Sequence, residues 1–218
     1  MLAAQVGDEQ APLQLHEETI GSYLDRVASR TAAPAGGSVA AMTAATAAAL
    51  VGMGARFTTA PQDADVDVGE LATRADLLRE RALVLAGQDE EAFTAVTSAY
   101  ALPREPETER AIRTAAIRDA TAAAALPPVG VVAVARDLVA LVEVLLPVAN
   151  RTVRGDLVAA VDAARAAASA SRLNVEVNIR GLPPDDERRS VLDDVADVDD
   201  LLTRATQLHD AVRREVTA

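Results

Sequence analysis

Residues 34–38 read Pro34-Ala35-Gly36-Gly37-Ser38 and run directly into a stretch of small apolar residues over 39–57. Proline fixes φ, and glycine lets the backbone come close to another group. Ser38 is of a type that caps helix starts, and the free N–H groups of a first helical turn attract negative charge or a polar ligand atom. The bend therefore offers a small molecule a rigid wall at Pro34, open backbone at Gly36 and Gly37, and a hydroxyl at Ser38. The same residues also make a plain loop and cap ahead of a buried helix. Gly36-Gly37 is not followed by the Lys-Ser/Thr pair of a phosphate cradle. With no cysteine there is no thiolate and no Cys–zinc site. His16 and His209 sit near opposite ends of the chain, outside any metal-spaced cluster, so no metal is expected.

The elements that position this bend follow from composition. Half of the 218 residues are apolar but only 2% are aromatic, and alanine makes up about a fifth of the chain. Alanine is the best helix former and strand-favouring aromatics are scarce, so the fold class is all-α. Net charge is −12 and every basic residue is arginine. Such a chain excludes nucleic acid and an anionic membrane surface as expected partners. Residues 39–55 approach the length of a membrane span, but Ala, Gly and Thr give weak transfer energies, which favours a buried helix. Residues 1–14 lack a basic start and an apolar core, and read as a flexible tail before a single domain over 15–218. A cytoplasmic location follows by default.

Apolar spacing predicts helices over 17–30, 36–58, 69–100, 107–125, 128–150, 153–179 and 185–216. Ile20, Tyr23, Leu24 and Val27 mark one face of the first. Leu71, Leu78, Leu85, Phe93, Val96 and Tyr100 form a stripe on the third. Pro103, Pro106, Pro127, Pro128, Pro183 and Pro184 punctuate the rest, with a kink or end at Pro147. Long helices with short connections make an up-and-down bundle of antiparallel helices with an Ala-rich core. Its thin side chains and spare apolar faces predict a homodimer.

Four blocks, in order, resemble the formiminotransferase-cyclodeaminase C-terminal family, which includes stand-alone methenyltetrahydrofolate cyclohydrolases. They are Pro34-Ala35-Gly36-Gly37-Ser38-Val39-Ala40-Ala41; Asp89-Glu90-Glu91-Ala92-Phe93 with Leu102-Pro103; the basic helix from Arg110 to Pro127; and Asn150, Asp156, Asn174-Val175 and Asn178. The resemblance covers about 17–216 and implies an all-helical dimer with its ligand site in a cleft or at the subunit interface. It departs where members usually carry a third glycine (here Ala35), a serine before the aspartate (here Gly155), and lysines after the central helix. Arg56 and Arg74 are the candidates to replace those lysines toward a folate's carboxylates.

The resemblance implies chemistry on a one-carbon bridge between two nitrogens, with 5,10-methenyltetrahydrofolate hydrolysis the leading reading. The folate is then substrate, and no cofactor is implied. A buried carboxylate attracts the amidinium cation and relays a proton. Asp156 takes that catalytic role here, although an aspartate in a helix's first turn also suits capping. Ser38 joins it as a catalytic residue. Pro34, Gly36, Gly37, Asn150, Asn174 and Asn178 form the substrate-binding set, the asparagines offering paired donors and acceptors. They also suit helix-to-helix bonds. Asp89 is expected to face solvent, and the Arg110, Arg113 and Arg118 series to form surface pairs. Two other readings stand: a paralogue acting on another cyclic imine-like small molecule, and a non-catalytic helical dimer.

Overall fold

Alanine and glycine decide how closely the helices approach. The computed structural model describes residues 18–61 and 64–217; the tail expected over 1–14, and His16, lie outside them. The helices are α1 (Ile20–Ala28), α2 (Gly36–Arg56), α3 (Val68–Ala101), α4 (Glu107–Ala123), α5 (Leu126–Leu145), α6 (Arg154–Ile179), α7 (Asp186–Asp193) and α8 (Val198–Thr217). A 3-10 turn, Arg151–Val153, leads into α6. No strand occurs among the described residues.

α2 lies at the centre. Ala41, Ala44, Ala47 and Val51 are fully enclosed, as are Leu138, Val139 and Leu145 of α5 and Leu157, Ala164 and Ala168 of α6. The small residues of α2 admit neighbouring backbones, and the leucines of α5 and α6 supply most of the apolar area. Each fully buried leucine contributes about 1.5–3 kcal/mol. By length and composition α2 is long and apolar enough to cross a membrane, but 61% of its apolar window is buried within the bundle.

Close approaches give the register. Gly37 faces Asp89, and Gly52 faces Ala75 and Asp76, so α3 runs antiparallel to α2. Gly54 faces Leu157, at the start of α6, and Gly130 of α5 faces Leu85 of α3. α6 returns along α5, with Asn178 Nδ2 donating to the Ala124 carbonyl at 2.7 Å. α8 runs back along α6 through His209–Asp162 at 2.9 Å and an ion pair between Arg154 and Glu215.

Three expected elements differ. The helix expected over 185–216 is two, broken between Asp193 and Val198. There Arg136 donates to the Asp194 carbonyl at 3.1 Å and to both Asp197 carboxylate oxygens, so a side chain of α5 satisfies the interrupted turn. On α1 only Tyr23 turns inward, while Ile20 and Leu24 are exposed. The α3 stripe is buried at Leu71 and Leu85 but exposed at Phe93 and Tyr100. α3 has 34 residues against 21 in α2, about 51 Å against 32 Å, so its last turns overhang the start of α2.

Candidate functional site

The bend begins at a cis Ala33–Pro34 bond, with Pro34 buried. Ala35, not Ser38, is the residue before the first turn of α2, and it gives no side-chain cap. Its φ of −131° is open to any L-residue, so alanine meets no backbone obstacle where a third glycine was expected. The two glycines differ. A Cβ on Gly36 would meet nothing within 4 Å, whereas one on Gly37 would lie 2.0 Å from Asp89 Oδ1. Gly37 is thus the glycine that lets a carboxylate sit on the helix end.

Ser38 is the third residue of α2 and is fully buried. It receives two consecutive carboxylates of α3. Its backbone N–H favours the charged form of Asp89 without an aligned hydrogen bond, and its hydroxyl donates to Glu90 Oε1 at 3.0 Å. Tyr23 Oη lies 3.2 Å from the same Ser38 oxygen. Burial pushes the Tyr23 phenol above its ordinary value, so it stays protonated and donates to Ser38. Ser38 was expected to cap the helix and to act on a ligand. Its hydroxyl is instead engaged on both sides inside the protein.

Glu90 is clamped from the other direction. Arg26 Nη2 lies 3.1 and 2.9 Å from its two oxygens. Arg26 Nε stands 3.1 Å from Glu18 Oε1, an ion-pair contact without hydrogen-bond alignment. The side chains of Glu18 and Glu90 are 4% and 16% exposed. One arginine thus serves two enclosed carboxylates.

Asp89 is half-buried, not solvent-facing as expected. Burial is the largest cause raising its carboxyl from 3.8 to about 6; the Ser38 N–H opposes this and the Glu90 charge adds to it. A carboxyl that titrates near neutrality, seated against a helix N-terminus, can both accept and return a proton. The sequence carried one signal for it: Asp89 and Glu90 fall within the second family-like block.

The expected site divides in two. With Gly54 against Leu157 and α6 antiparallel to α2, Asn174 comes level with Gly37, so Pro34, Gly36, Gly37, Ser38, Asn174 and Asn178 share one end. Asn178 is committed to the Ala124 carbonyl, where it ties α6 to the entry of α5. Asp156 and Asn150 stand at the other end. Gly37 and Gly54 are seventeen residues apart, about 25 Å along α2. Within one chain, therefore, Asp156 does not meet the diglycine bend, because the turn that carries it starts α6 where α2 stops. Asp156 occupies the first turn of α6, half-exposed, and Asn150 Oδ1 caps the 3-10 turn by accepting from Thr152 N–H at 3.2 Å. Gly155 faces open space, so a side chain there meets no obstacle. Arg56, paired with Asp76, and Arg74 also lie at this far end, away from the bend. An open hollow of about 610 Å³ sits there too, lined by Thr58, Thr59, Asp65 and Asp67, but Asp67 is spent capping α3. No cluster of potential metal ligands occurs among the described residues.

The model of the formiminotransferase-cyclodeaminase family matches residues 19–197. The methenyltetrahydrofolate cyclohydrolase of Methylorubrum extorquens is 32% identical over 91% of this chain and 96% of its own length. The formimidoyltransferase-cyclodeaminase of Sus scrofa is 27% identical over 84% of this chain, which corresponds to 34% of that longer protein. The crystal structure of formiminotetrahydrofolate cyclodeaminase from Thermotoga maritima superposes with a TM-score of 0.79 at 24% identity, over 93% of this chain and 99% of that one. That likeness is one of fold.

Proposed function

Because the chain belongs to the formiminotransferase-cyclodeaminase family, we propose that it is an enzyme acting on the one-carbon bridge of 5,10-methenyltetrahydrofolate. Its cyclohydrolase relative, matched along almost the whole of both chains, supports that reaction and substrate. The observation that carries the reading is the Asp89 carboxyl seated on the start of α2, above the ordinary carboxylate range at about 6. Within this cluster three carboxylates, Glu18, Glu90 and Asp89, stand against Arg26, which suits an amidinium cation.

In this reading water adds to the amidinium carbon. Asp89, as the carboxylate, takes one proton from that water as the carbon–oxygen bond forms. The same carboxyl returns the proton to the departing nitrogen as one carbon–nitrogen bond breaks. The second water proton leaves to solvent as the formyl carbonyl forms on the other nitrogen. General acid–base help of this kind is worth about 10²–10⁴-fold in rate. Gly37 keeps room for the carboxylate, and Asn174 stands level with it along α2.

A homodimer belongs to the same proposal. α2 leaves apolar side chains uncovered, with Val39, Ala49 and, at its C-cap, Phe57 exposed and Met42, Leu50 and Met53 half-buried, on a face that Thr46 interrupts. A twofold axis perpendicular to α2 sets two such faces antiparallel and brings the Asp156 end of one copy toward the bend of the other. In this arrangement Asp156 reaches the bend from the partner copy. A cytoplasmic setting accompanies this reading. The test is loss of the near-ultraviolet absorbance of methenyltetrahydrofolate on incubation with the purified protein. Turnover that Asp89→Asn abolishes supports the assignment; no turnover by the parent overturns it.

A further inference from the structure

Glu90 has no part in the proton transfers above, yet it is the most heavily tethered carboxylate at this end. Its neighbour Asp89 touches the Ser38 backbone, and Glu90 itself takes the Ser38 hydroxyl at 3.0 Å and both contacts from Arg26. Tyr23, Ser38, Glu90, Arg26 and Glu18 thus form one continuous polar series, from a neutral phenol to an ion-paired triad. Its donors are α1 and α2 side chains, and its acceptor on α3 is fixed one residue from Asp89. A series anchored at both ends leaves Glu90 no free rotamer by which to swing away.

We propose that Glu90 is a positioning residue for Asp89: held by Arg26 and Ser38, it pins the first turn of α2 and keeps a fixed negative charge beside the working carboxyl. The inference rests on the reading of Asp89 as the acid–base group, but its physical content does not depend on turnover. The groups facing Asp89 are few. α1 contributes Tyr23, with Arg26 one contact further on Glu90; α2 contributes the Ser38 N–H; α3 contributes Glu90. α2 carries no charged side chain at this end, its Arg56 being on its last turn. The Glu90 charge favours the protonated form of Asp89, and Arg26 limits how strongly it does so.

Two substitutions pull this balance in opposite directions. Glu90→Gln keeps the size and an acceptor for Ser38 but removes the charge. Arg26→Gln leaves the Glu90 charge uncompensated. The Asp89 carboxyl carbon is followed by carbon-13 NMR through a pH titration, its resonance identified by its absence in Asp89→Asn, and kcat/KM is profiled in parallel. Glu90→Gln is expected to move the Asp89 midpoint and the acid limb to lower pH, by on the order of half a unit to one unit, and Arg26→Gln to higher pH. General loosening of the fold does not produce opposite signs. Midpoints that stay at the parent value, or move the same way in both variants, overturn the proposal. If the midpoints move as expected while Asp89→Asn retains full turnover, the positioning of Asp89 stands and its acid–base role falls.

Discussion

Gly37→Ala is the sharpest perturbation of the α2 end. A Cβ there would lie 2.0 Å from Asp89 Oδ1, 2.5 Å from Cγ and 2.6 Å from Oδ2. No rotation of so short a side chain clears all three atoms while keeping the Ser38 N–H contact, so the carboxylate must leave the helix end. Because this site raises the Asp89 carboxyl to about 6, moving the ionised group out to water carries no stability cost above that pH. Replacing glycine by alanine inside a helix returns about 0.5–1 kcal/mol. Net stability therefore changes by only about 1 kcal/mol, a shift of a few degrees in Tm for a domain of this size. Activity responds differently: displacement of the acid–base group is expected to lower kcat by about 10²–10⁴-fold. Gly36→Ala is the control for the Asp89 displacement, since nothing lies within 4 Å of its Cβ, and it is expected to leave the carboxylate in place with equal or higher Tm. Thermal unfolding and methenyltetrahydrofolate absorbance on the two variants decide the matter. If Gly37→Ala turns over as fast as the parent, the argument that Asp89 works from the helix end is refuted.

Other consequences are open to measurement. Asp89 has a folded value near 6 against 3.8 unfolded, so its favourable contribution to stability is complete below about pH 3.8 and is lost as pH rises through about 6. Asp89→Asn is accordingly expected to melt above the parent at pH 8, with the gap closing toward pH 4 in a series of thermal scans. Where ionised Asp89 is the base, the parent's kcat/KM falls as pH drops through about 6, and stopped assays over that range report the limb. Gly54→Ala pushes a Cβ to 2.6 Å from the buried Leu157 Cδ2, and overpacking should cost about 1–2 kcal/mol on denaturant titration. Leu50→Glu, which puts a charge on the uncovered α2 face, should give a monomer by light scattering where the parent is a dimer.

Much of the fold was legible because periodicity and punctuation agree. α2 and α6 lie within two residues of their expected limits, and α5 ends before Pro147 as the proline required. The break at 194–197 was not legible, because Val191, Val195, Val198 and Leu202 keep helical spacing across it. The partner that satisfies the opened turn, Arg136, lies some sixty residues away in sequence. The site was legible at the bend and opaque elsewhere. Gly36 and Gly37 together were read as open backbone for a ligand, and at Gly37 the group that comes close is the Asp89 carboxylate. Composition cannot say that α3 runs antiparallel and delivers that carboxylate, so Asp89 read as one more exposed acid in an acidic chain. Asp156 read as the working carboxyl because it falls in the fourth family-like block, which says nothing of its distance from the bend within one chain. Helix length is what separates them, since α2 alone spans the distance between its two ends.

The central claim is that Asp89, standing on the start of α2, performs the proton transfers. The most direct measurement is single-turnover hydrolysis of methenyltetrahydrofolate by Asp89→Asn, with circular dichroism to verify folding. The account predicts a folded protein whose rate falls by about 10²-fold or more. A folded Asp89→Asn protein that hydrolyses at the parent's rate contradicts it.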